Sequence, residues 1–203
     1  MTTDLTEAEI GLIRQKIKEK YSGVAASGAG GCFQYLCGME GLRKQDYPED
    51  ILRTLPPAIL APFCGVGNPF SLGALYPGDA VLDLGCGAGV DAFIAAIMVG
   101  PGGWVAGIDV TPEMVAKARA NLTLTGLANV ILEVAEVESL PFPDDSFDAV
   151  ISNGVINLTV DKEKVLGEAH RVLKPGGRLM VADMVLVSPL PQERAGRIEN
   201  WFQ

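Results

Sequence analysis

The 203-residue sequence has no excess of positive charge: 16 lysines and arginines face 25 aspartates and glutamates, for a net charge of −9. Nucleic-acid-binding proteins neutralise phosphates with basic side chains, so this balance predicts no nucleic-acid partner. The only histidine, His170, is predicted on a helix surface beside Arg171 and is interpreted as structural. One such histidine provides neither a Ser–His–acid triad nor a histidine metal cluster, and we expect no metal site.

Long apolar runs are also lacking. The longest apolar region, residues 92–108, is interrupted by Gly100, Pro101, Gly102 and Gly103 and is too broken to span a bilayer. The opening residues are polar and charged, which is not the pattern of a signal peptide. Four cysteines occur without paired spacing, so we expect reduced thiols, a cytoplasmic location and no membrane partner.

Residues 1–75 are interpreted as an N-terminal helical and irregular extension to a domain at 76–203. Residues 6–20 predict a helix that opens with a capping box, in which Thr6 and Glu9 exchange hydrogen bonds with each other's main chain. The small residues at 22–31 predict a mobile loop, and the proline-rich stretch at 56–69 predicts an irregular segment.

From residue 79 onward, apolar strand-like runs alternate with helix-like runs. Strands are predicted at 80–85, 103–110, 129–136, 147–153 and 178–187. Helices are predicted at 90–100, 111–126, 160–177 and 191–203. This alternation predicts an α/β fold with a doubly wound, mostly parallel, Rossmann-like sheet.

The first predicted strand leads into a glycine-rich loop. Ligands of a doubly wound sheet bind beyond the carboxyl ends of its strands, at the point where the strand order reverses. The residues that this rule brings to the cleft are Asp83, Gly85, Cys86, Gly87 and Gly89. Asp109 ends the second strand, where a carboxylate is expected to bind ribose hydroxyls.

Two cofactors fit a glycine loop followed by a ribose-binding acid. A dinucleotide is typically bound by GxGxxG, but Val90 occupies the third glycine position here. Asp83 stands two residues before the first glycine, where a carboxylate suits the ammonium and sulfonium of S-adenosylmethionine better than a pyrophosphate. The sequence therefore favours S-adenosylmethionine as the cofactor.

Four strings, DLGCGAG, GIDVTPEM, AEVESLPFPDDSFD and RVLKPGGRL, resemble the class I S-adenosylmethionine-dependent methyltransferases over residues 79–187. The resemblance implies that Asp109 binds the ribose diol while Val110 and Met114 pack near the adenine. It further implies that Glu136 accepts from the adenine amino group and that the Val137 N–H meets a ring nitrogen. Asn153 would begin the loop that faces the transferred methyl group.

Within this class the sequence resembles the arsenite methyltransferases, in KYSGVA (20–25), LPPA (55–58), GVGNP (65–69), DVTPEMVAKARAN (109–121) and ISNGVINL (151–158). That family holds trivalent arsenic with soft cysteine ligands. Val66 and Gly154 stand where the family has two of them, and a third would follow the last residue here. Either Cys64, Cys32 or Cys37 replaces them, or these three are buried or idle thiols.

Methyl transfer from a sulfonium is an in-line displacement, which needs alignment and exclusion of water more than a covalent intermediate. The expected acceptor is trivalent arsenic or another small molecule. Asn153, Asn157 and Cys64 are the catalytic candidates, and Asp183 is a further possible base. A carbon, nitrogen or oxygen acceptor on an organic molecule is the alternative, as is a relative that binds the donor without catalysis.

The last predicted strand, 178–187, would be left as a sheet edge, because the C-terminal strand hairpin usual in this class is missing after it. A long apolar edge is an aggregation hazard. We expect a homodimer to cover it. The alternatives are a cover formed by residues 1–75, or a longer protein of which this chain is a piece.

Overall fold

The computed structural model describes residues 5–27, 33 and 35–185. The N-terminal region begins with helix α1 (Glu7–Ser27), followed by three short helices, α2 (Gly38–Lys44), α3 (Glu49–Leu52) and α4 (Pro57–Leu60), and a 3₁₀ turn at Pro69–Leu72. Beyond it lie β1 (Ala80–Leu84), α5 (Val90–Val99), β2 (Trp104–Asp109), α6 (Pro112–Leu122) and β3 (Val130–Val134). The remaining elements are β4 (Phe147–Asn153), a 3₁₀ turn at Ile156–Leu158, α7 (Lys162–Val172) and β5 (Leu173–Ala182).

The five strands form one parallel sheet in the order β3-β2-β1-β4-β5. The chain builds outward from β1 to β3 and then returns to the other side of β1 to add β4 and β5. This confirms the predicted doubly wound sheet. The order reverses between β1 and β4, which is where ligands bind in such folds.

Both faces of the sheet are covered, and the strand residues alternate between two apolar clusters. Val81, Val105 and Ile151 face the cluster that includes α5 and α6. Leu82 and Val150 face the opposite cluster, which α7 completes. Successive strand residues point to opposite faces, so continuous apolar runs such as Ala80–Leu84 are what a sheet buried on both sides requires.

Helix α1 begins as expected and ends later than expected. The capping box is confirmed: the Thr6 N–H donates to Glu9 Oε2 at 2.8 Å, and the Glu9 N–H donates to Thr6 Oγ1 at 3.3 Å. The mobile loop predicted from residue 22 is wrong for residues 22–27, because α1 continues to Ser27. Val24 is buried against Met114 of α6, and this tertiary contact outweighs the weak helix preference of the small residues around it.

Three other boundaries differ from the predictions. The stretch predicted as irregular at 56–69 contains α4, and α6 ends at Leu122 rather than near residue 126. The helix predicted over 160–177 ends at Val172, because Leu173 already pairs with Phe147 of β4, across an irregular register that accommodates Pro175. The last strand therefore spans Leu173–Ala182 instead of 178–187.

Strand β5 is an edge of the sheet that the described residues form. Leu179 is 38% exposed on it, while Val185, which the sequence placed in this strand, lies beyond its end and is 82% exposed. The helix predicted at 191–203 lies outside the described residues. No helix in the described part of the chain is long and apolar enough to cross a membrane.

Candidate active site

A cavity opens at the carboxyl edge of the sheet, where β1, β2 and β4 end side by side. Helix α1 contributes Arg14, Ile17 and Tyr21 to its wall. The Ser22 hydroxyl of α1 donates to Glu113 Oε2 at 3.0 Å and ties this helix to α6. Helix α1 thus covers part of the cleft that the sheet creates.

Most of the residues predicted from sequence line this one cavity. They are Cys64, Asp83, Gly85, Cys86, Gly87, Asp109, Val110, Met114, Glu136, Val137 and Asn153. Gly89 and Asn157 are not among the lining residues. Gly89 instead starts α5 in a left-handed conformation, with φ of 94°, and a Cβ there would lie 2.5 Å from Cζ of the Phe93 ring.

The loop after β1 presents backbone to the cavity. Gly85 has φ of 71°, and a Cβ on it would lie 3.0 Å from Val155 Cγ1, so no larger residue fits without displacing the loop after β4. The Cys86 N–H donates to the Ile108 carbonyl at 2.8 Å, and the Asn121 amide donates to the Ala88 carbonyl at 3.0 Å. Burial raises the pKa of the Cys86 thiol well above its ordinary value, which disfavours its thiolate form.

Asp109 links the glycine loop to the start of α6. Its Oδ2 accepts from the Gly87 N–H at 3.0 Å, and its Oδ1 accepts from the Thr111 N–H at 2.8 Å. Burial raises the pKa of Asp109, and these two backbone hydrogen bonds oppose the rise. Each oxygen has a further lone pair, so the carboxylate is held in place and can still accept from a diol.

The residues expected near an adenine lie at the α1 side of the cavity. Met114 is 1% exposed and packs with Val24 of α1, whereas Val137 is 7% exposed. The Glu136 side chain is 48% exposed and lies 3.9 Å from the Arg14 guanidinium. Arg14 is also 3.9 Å from Glu138, so it neutralises part of the negative charge at this end.

Asp83 also lines the cavity and is 2% exposed. The Ala92 N–H donates to its carboxyl group, while its Oδ2 has no hydrogen-bond partner among the described residues. Burial, followed by the nearby charges of Asp91 and Asp109, raises its pKa well above the ordinary value. A buried, unpartnered carboxylate oxygen in a cavity wall fits a ligand that carries cationic groups, as S-adenosylmethionine does.

Asp91 lies at the centre of a hydrogen-bond network that the sequence did not reveal. The Tyr47 hydroxyl donates to its Oδ1 at 2.8 Å, and Asn153 Nδ2 donates to its Oδ2 at 2.9 Å. The same Asn153 side chain donates to the Gly67 carbonyl at 2.8 Å and accepts from the Val66 N–H at 2.8 Å. Asn153 therefore fixes the loop at 63–67 against the end of β4, and its amide has little capacity left for an acceptor.

Sequence reasoning passed over Asp91, Tyr47 and Arg14. One signal for Asp91 was available: it is the single charged residue in a helix that is otherwise almost entirely buried. A carboxylate is retained at such a position only when it is hydrogen-bonded or functional. Tyr47 and Arg14 carried no local signal, because their partners are distant in sequence.

The acceptor end of the cavity is poor in sulfur. A Cβ on Gly154 would lie 3.4 Å from Val66 Cγ1, so positions 66 and 154 are neighbours and neither carries a thiol. Cys64 lines the cavity and packs in one cluster with Cys37, Tyr21 and Met114. Burial raises the pKa of Cys64 to about 12. Cys32 lies outside the described residues.

Asn157 lies in the 3₁₀ turn after β4, where its N–H donates to Asp183 Oδ2 at 3.0 Å. Asp183 is thereby directed toward the backbone of this turn. Neither side chain is among those that line the cavity. The geometry thus separates this pair of suggested bases from the carboxylates and Cys64.

The doubly wound parallel sheet, the glycine loop after its first strand and the acid at the end of its second together define a class I S-adenosylmethionine-dependent methyltransferase. Residues 75–203 match the family described as "Methyltransferase domain", and the chain belongs to that family. S-adenosylmethionine is the methyl donor of this class.

Among relatives, the chain is similar to an arsenite methyltransferase of Halobacterium salinarum, with 39% identity over 194 residues, 89% of this chain and 49% of that protein. It is 42% identical over 123 residues to a ubiquinone/menaquinone biosynthesis C-methyltransferase of Hydrogenovibrio crunogenus, covering 60% of this chain and 48% of that protein. Among solved structures, an arsenic(III) S-adenosylmethionine methyltransferase from Chlamydomonas reinhardtii is 39% identical with a TM-score of 0.61, over 76% of this chain and 52% of that one. The chain spans about half the length of these relatives.

Proposed function

We propose that this chain transfers a methyl group from S-adenosylmethionine to trivalent arsenic or another small acceptor. The observation that carries the proposal is one cavity that brings two unlike sets of residues together. One set is three acids, Asp83, Asp109 and Glu136, beside the glycine loop after β1. The other set is Gly154 and Cys64, where an acceptor would meet the methyl group.

S-adenosylmethionine supplies, when bound, an electrophilic methyl group on a positively charged sulfur. In this proposal Asp109 accepts from the ribose hydroxyls, while Val110, Met114, Glu136 and the Val137 N–H form the adenine site. The Gly85, Cys86, Gly87 and Gly89 backbone lets the donor approach closely, and Asp83 faces its cationic groups. The chain's own contribution is alignment and exclusion of water, which helix α1 serves by covering the cleft.

Cys64 is the thiol best placed to act on a soft acceptor. It lines the cavity, and it belongs to the same apolar cluster as Cys37. Two hydrogen bonds hold the two segments together, since the Gly38 N–H donates to the Phe63 carbonyl at 2.7 Å and the Tyr35 hydroxyl donates to the Cys64 carbonyl at 3.0 Å. Arsenic binding would displace the thiol proton, as thiolates are the ligating form.

Methylation of a small organic acceptor is the second candidate function, and it is favoured by the apolar Val66 side chain, which lies 3.4 Å from where a Cβ on Gly154 would be. The likeness to a C-methyltransferase supports the same reading. In this case Asn153 would help to shape the acceptor wall, while a base would still be needed for acceptors that lose a proton. The remaining alternative is that the chain binds the donor without catalysing methyl transfer.

The decisive experiment measures conversion of S-adenosylmethionine to S-adenosylhomocysteine against a panel of acceptors, one of which is arsenite with a thiol reductant. Arsenite-dependent turnover that falls at least tenfold in Cys64→Ser, but not in Cys86→Ser, would support the arsenic proposal. Turnover with only organic acceptors would support the second candidate. Binding of the donor with no turnover for any acceptor would indicate that the chain binds S-adenosylmethionine without catalysing methyl transfer.

We further propose that residues 1–75 act as an extension that covers the site of a domain at 76–203. We also infer that a second copy of the chain covers the β5 edge, and that the protein works in a cytoplasm with a small-molecule acceptor and no nucleic acid. Light scattering tests the dimer, and Leu179→Lys, on an exposed position of β5, should dissociate it. A monomer in the unsubstituted protein would refute the dimer.

A further inference from the structure

The loop at 63–67, which brings Cys64 to the cavity, is held from the N-terminal region as well as from β4. The Tyr35 hydroxyl donates to the Cys64 carbonyl at 3.0 Å, and Gln45 Nε2 donates to the Gly65 carbonyl at 2.9 Å. A loop whose polar groups are bonded to several separate side chains has few alternative conformations. The position of Cys64 is therefore set by the residues that hold this loop.

The end of helix α2 directs two side chains toward the loop. Asp46, just past the helix, has φ of 56°, and the Tyr47 N–H donates to the Leu42 carbonyl at 3.1 Å. A left-handed residue at this place is a common way to end a helix. The turn brings both the Gln45 amide and the Tyr47 hydroxyl within hydrogen-bond distance of carbonyl oxygens of the 63–67 loop.

The Tyr47 hydroxyl lies where three segments of the chain meet. It donates to Asp91 Oδ1 at 2.8 Å and lies 3.1 Å from both the Gly67 carbonyl and Asn153 Nδ2. Its one hydrogen serves the shortest of these contacts, which is the one to the carboxyl group. Tyr47 is 4% exposed, and its ring packs edge-on against Phe63. Water therefore has little access to replace the hydroxyl.

Asp91 in turn determines which way the Asn153 amide points. Its Oδ2 and the Gly67 carbonyl oxygen both accept from Asn153, at 2.9 and 2.8 Å, so the NH2 group faces them. The amide oxygen then faces the Val66 and Gly67 N–H groups, at 2.8 and 3.2 Å. Since Tyr47 orients Asp91, a hydroxyl outside the loop governs the hydrogen bonds that fix the loop.

We propose that Tyr47 is a positioning residue for methyl transfer, which acts through Asp91 and Asn153 to align the 63–67 loop with the donor. The inference rests on the proposed function, in which the acceptor lies beside Cys64. In an in-line displacement the bond from the acceptor to the methyl carbon forms as the bond from sulfur breaks. A misplacement of about 1 Å in such a reaction can cost about 100-fold in rate.

Asp91 is well placed to align the two partners of the reaction. It is the second residue of α5, so the main chain ties it directly to the glycine loop that ends at Gly89. Through Asn153 it is tied to the loop that carries Cys64. One carboxyl group thus connects the loop assigned to the donor with the loop assigned to the acceptor, and Tyr47 holds that carboxyl group.

The test uses Tyr47→Phe, which removes the hydroxyl and retains the ring. Calorimetry measures S-adenosylmethionine affinity, which should change by less than about twofold. The turnover number is measured at saturating donor with arsenite and a thiol reductant, or with the organic acceptor of the panel that gives turnover, and should fall about tenfold or more. Hydrogen exchange of the amides at 63–68 should become about tenfold faster, while that of helix α7 stays the same.

Two further variants complete the design. Tyr76→Phe is the matched control, because Tyr76 is 56% exposed and is not among the residues that line the cavity; all three measurements should be unchanged. Asp91→Asn interrupts the same connection and should also lower the turnover number. Combining it with Tyr47→Phe should lower turnover by no more than about twofold beyond Asp91→Asn alone, because Tyr47 acts through Asp91. Asp91→Asn tests the connection even if Tyr47→Phe does not fold.

Unchanged turnover and unchanged loop exchange in Tyr47→Phe would overturn the inference while leaving the proposed function intact. Faster exchange throughout the protein, with donor affinity lost as much as turnover, would do the same, because it would show that Tyr47 only supports the fold. Absence of turnover in the unsubstituted protein with every acceptor of the panel would overturn the proposed function, and this inference with it.

Discussion

Replacing Asn153 by alanine should destabilise the protein far more than the loss of one surface amide would. The side chain accepts from the Val66 N–H at 2.8 Å and the Gly67 N–H at 3.2 Å, and donates to the Gly67 carbonyl at 2.8 Å and to Asp91 at 2.9 Å. The Nδ2 group also lies 3.1 Å from the Tyr47 hydroxyl, but its two hydrogens serve the two shorter contacts, which leaves three neutral hydrogen bonds and one to a charged group. These four bonds join β4, the 63–67 loop and α5 through a single residue.

The expected cost follows from the types of these bonds. Neutral bonds contribute about 0.5–1.5 kcal/mol each and a bond to a charged group about 1.5–3 kcal/mol, for a simple sum of about 3–7 kcal/mol. Asn153 is half-buried, so water replaces part of this loss. We therefore expect Asn153→Ala to lower the free energy of unfolding by about 3 kcal/mol.

The assay is urea unfolding followed by circular dichroism, with Asn121→Ala as the matched control. Asn121 is also buried near the glycine loop but has one side-chain hydrogen bond recorded, to the Ala88 carbonyl at 3.0 Å. Its loss should cost only about 1 kcal/mol. If Asn153→Ala proved no more destabilising than Asn121→Ala, the network would not have the importance assigned to it.

The cost of Asn153→Ala should also depend on pH. The Asn153 amide stabilises Asp91 only when that carboxyl group is ionised, and its pKa in the folded protein is about 6. The destabilisation should therefore be larger at pH 8 than at pH 5. The same cost at both pH values would show that Asp91 is not the charged partner of Asn153.

Three further predictions concern the cavity. Asp109→Asn should weaken S-adenosylmethionine binding about tenfold or more, because it weakens charge-assisted bonds to the ribose. An unchanged affinity measured by calorimetry would contradict the assignment of Asp109 to the ribose. Val66→Cys should raise the affinity for arsenite measured by equilibrium dialysis, and no gain in affinity would show that position 66 is not part of the acceptor site. Gly154→Cys should lower the free energy of unfolding by about 1–2 kcal/mol, because Gly154 has φ of 71°. The raised pKa of Asp91 favours the donor-free fold below pH 4, a contribution lost as pH rises through about 6. Asp91→Asn should flatten the fall in melting temperature between pH 4 and 6, and an unaltered pH profile would refute this interpretation.

Local interactions account for what the sequence determined by itself. The capping box joins Thr6 and Glu9, only three residues apart, so its geometry is contained in one helical turn. The alternation of strand and helix patterns, the glycine loop after β1 and the acid at the end of β2 follow from short-range periodicity and from the rule for parallel sheets. These signals sufficed to predict the fold and to nominate the residues that line the cavity.

Only the tertiary structure decided the contacts between segments far apart in the chain. Tyr47 reaches Asp91 across 44 positions, and Asn153 reaches Asp91 across 62. No local sequence pattern contains such a pairing. The hydrogen-bond network around Asp91 and the burial of the Asp83 carboxyl group could therefore not be predicted from the sequence. Helix α1 continues to Ser27 because Val24 meets Met114, and β5 starts at Leu173 because Phe147 pairs with it. In each case a partner supplied by the folded chain outweighed the weak local preference of small residues, proline or glycine.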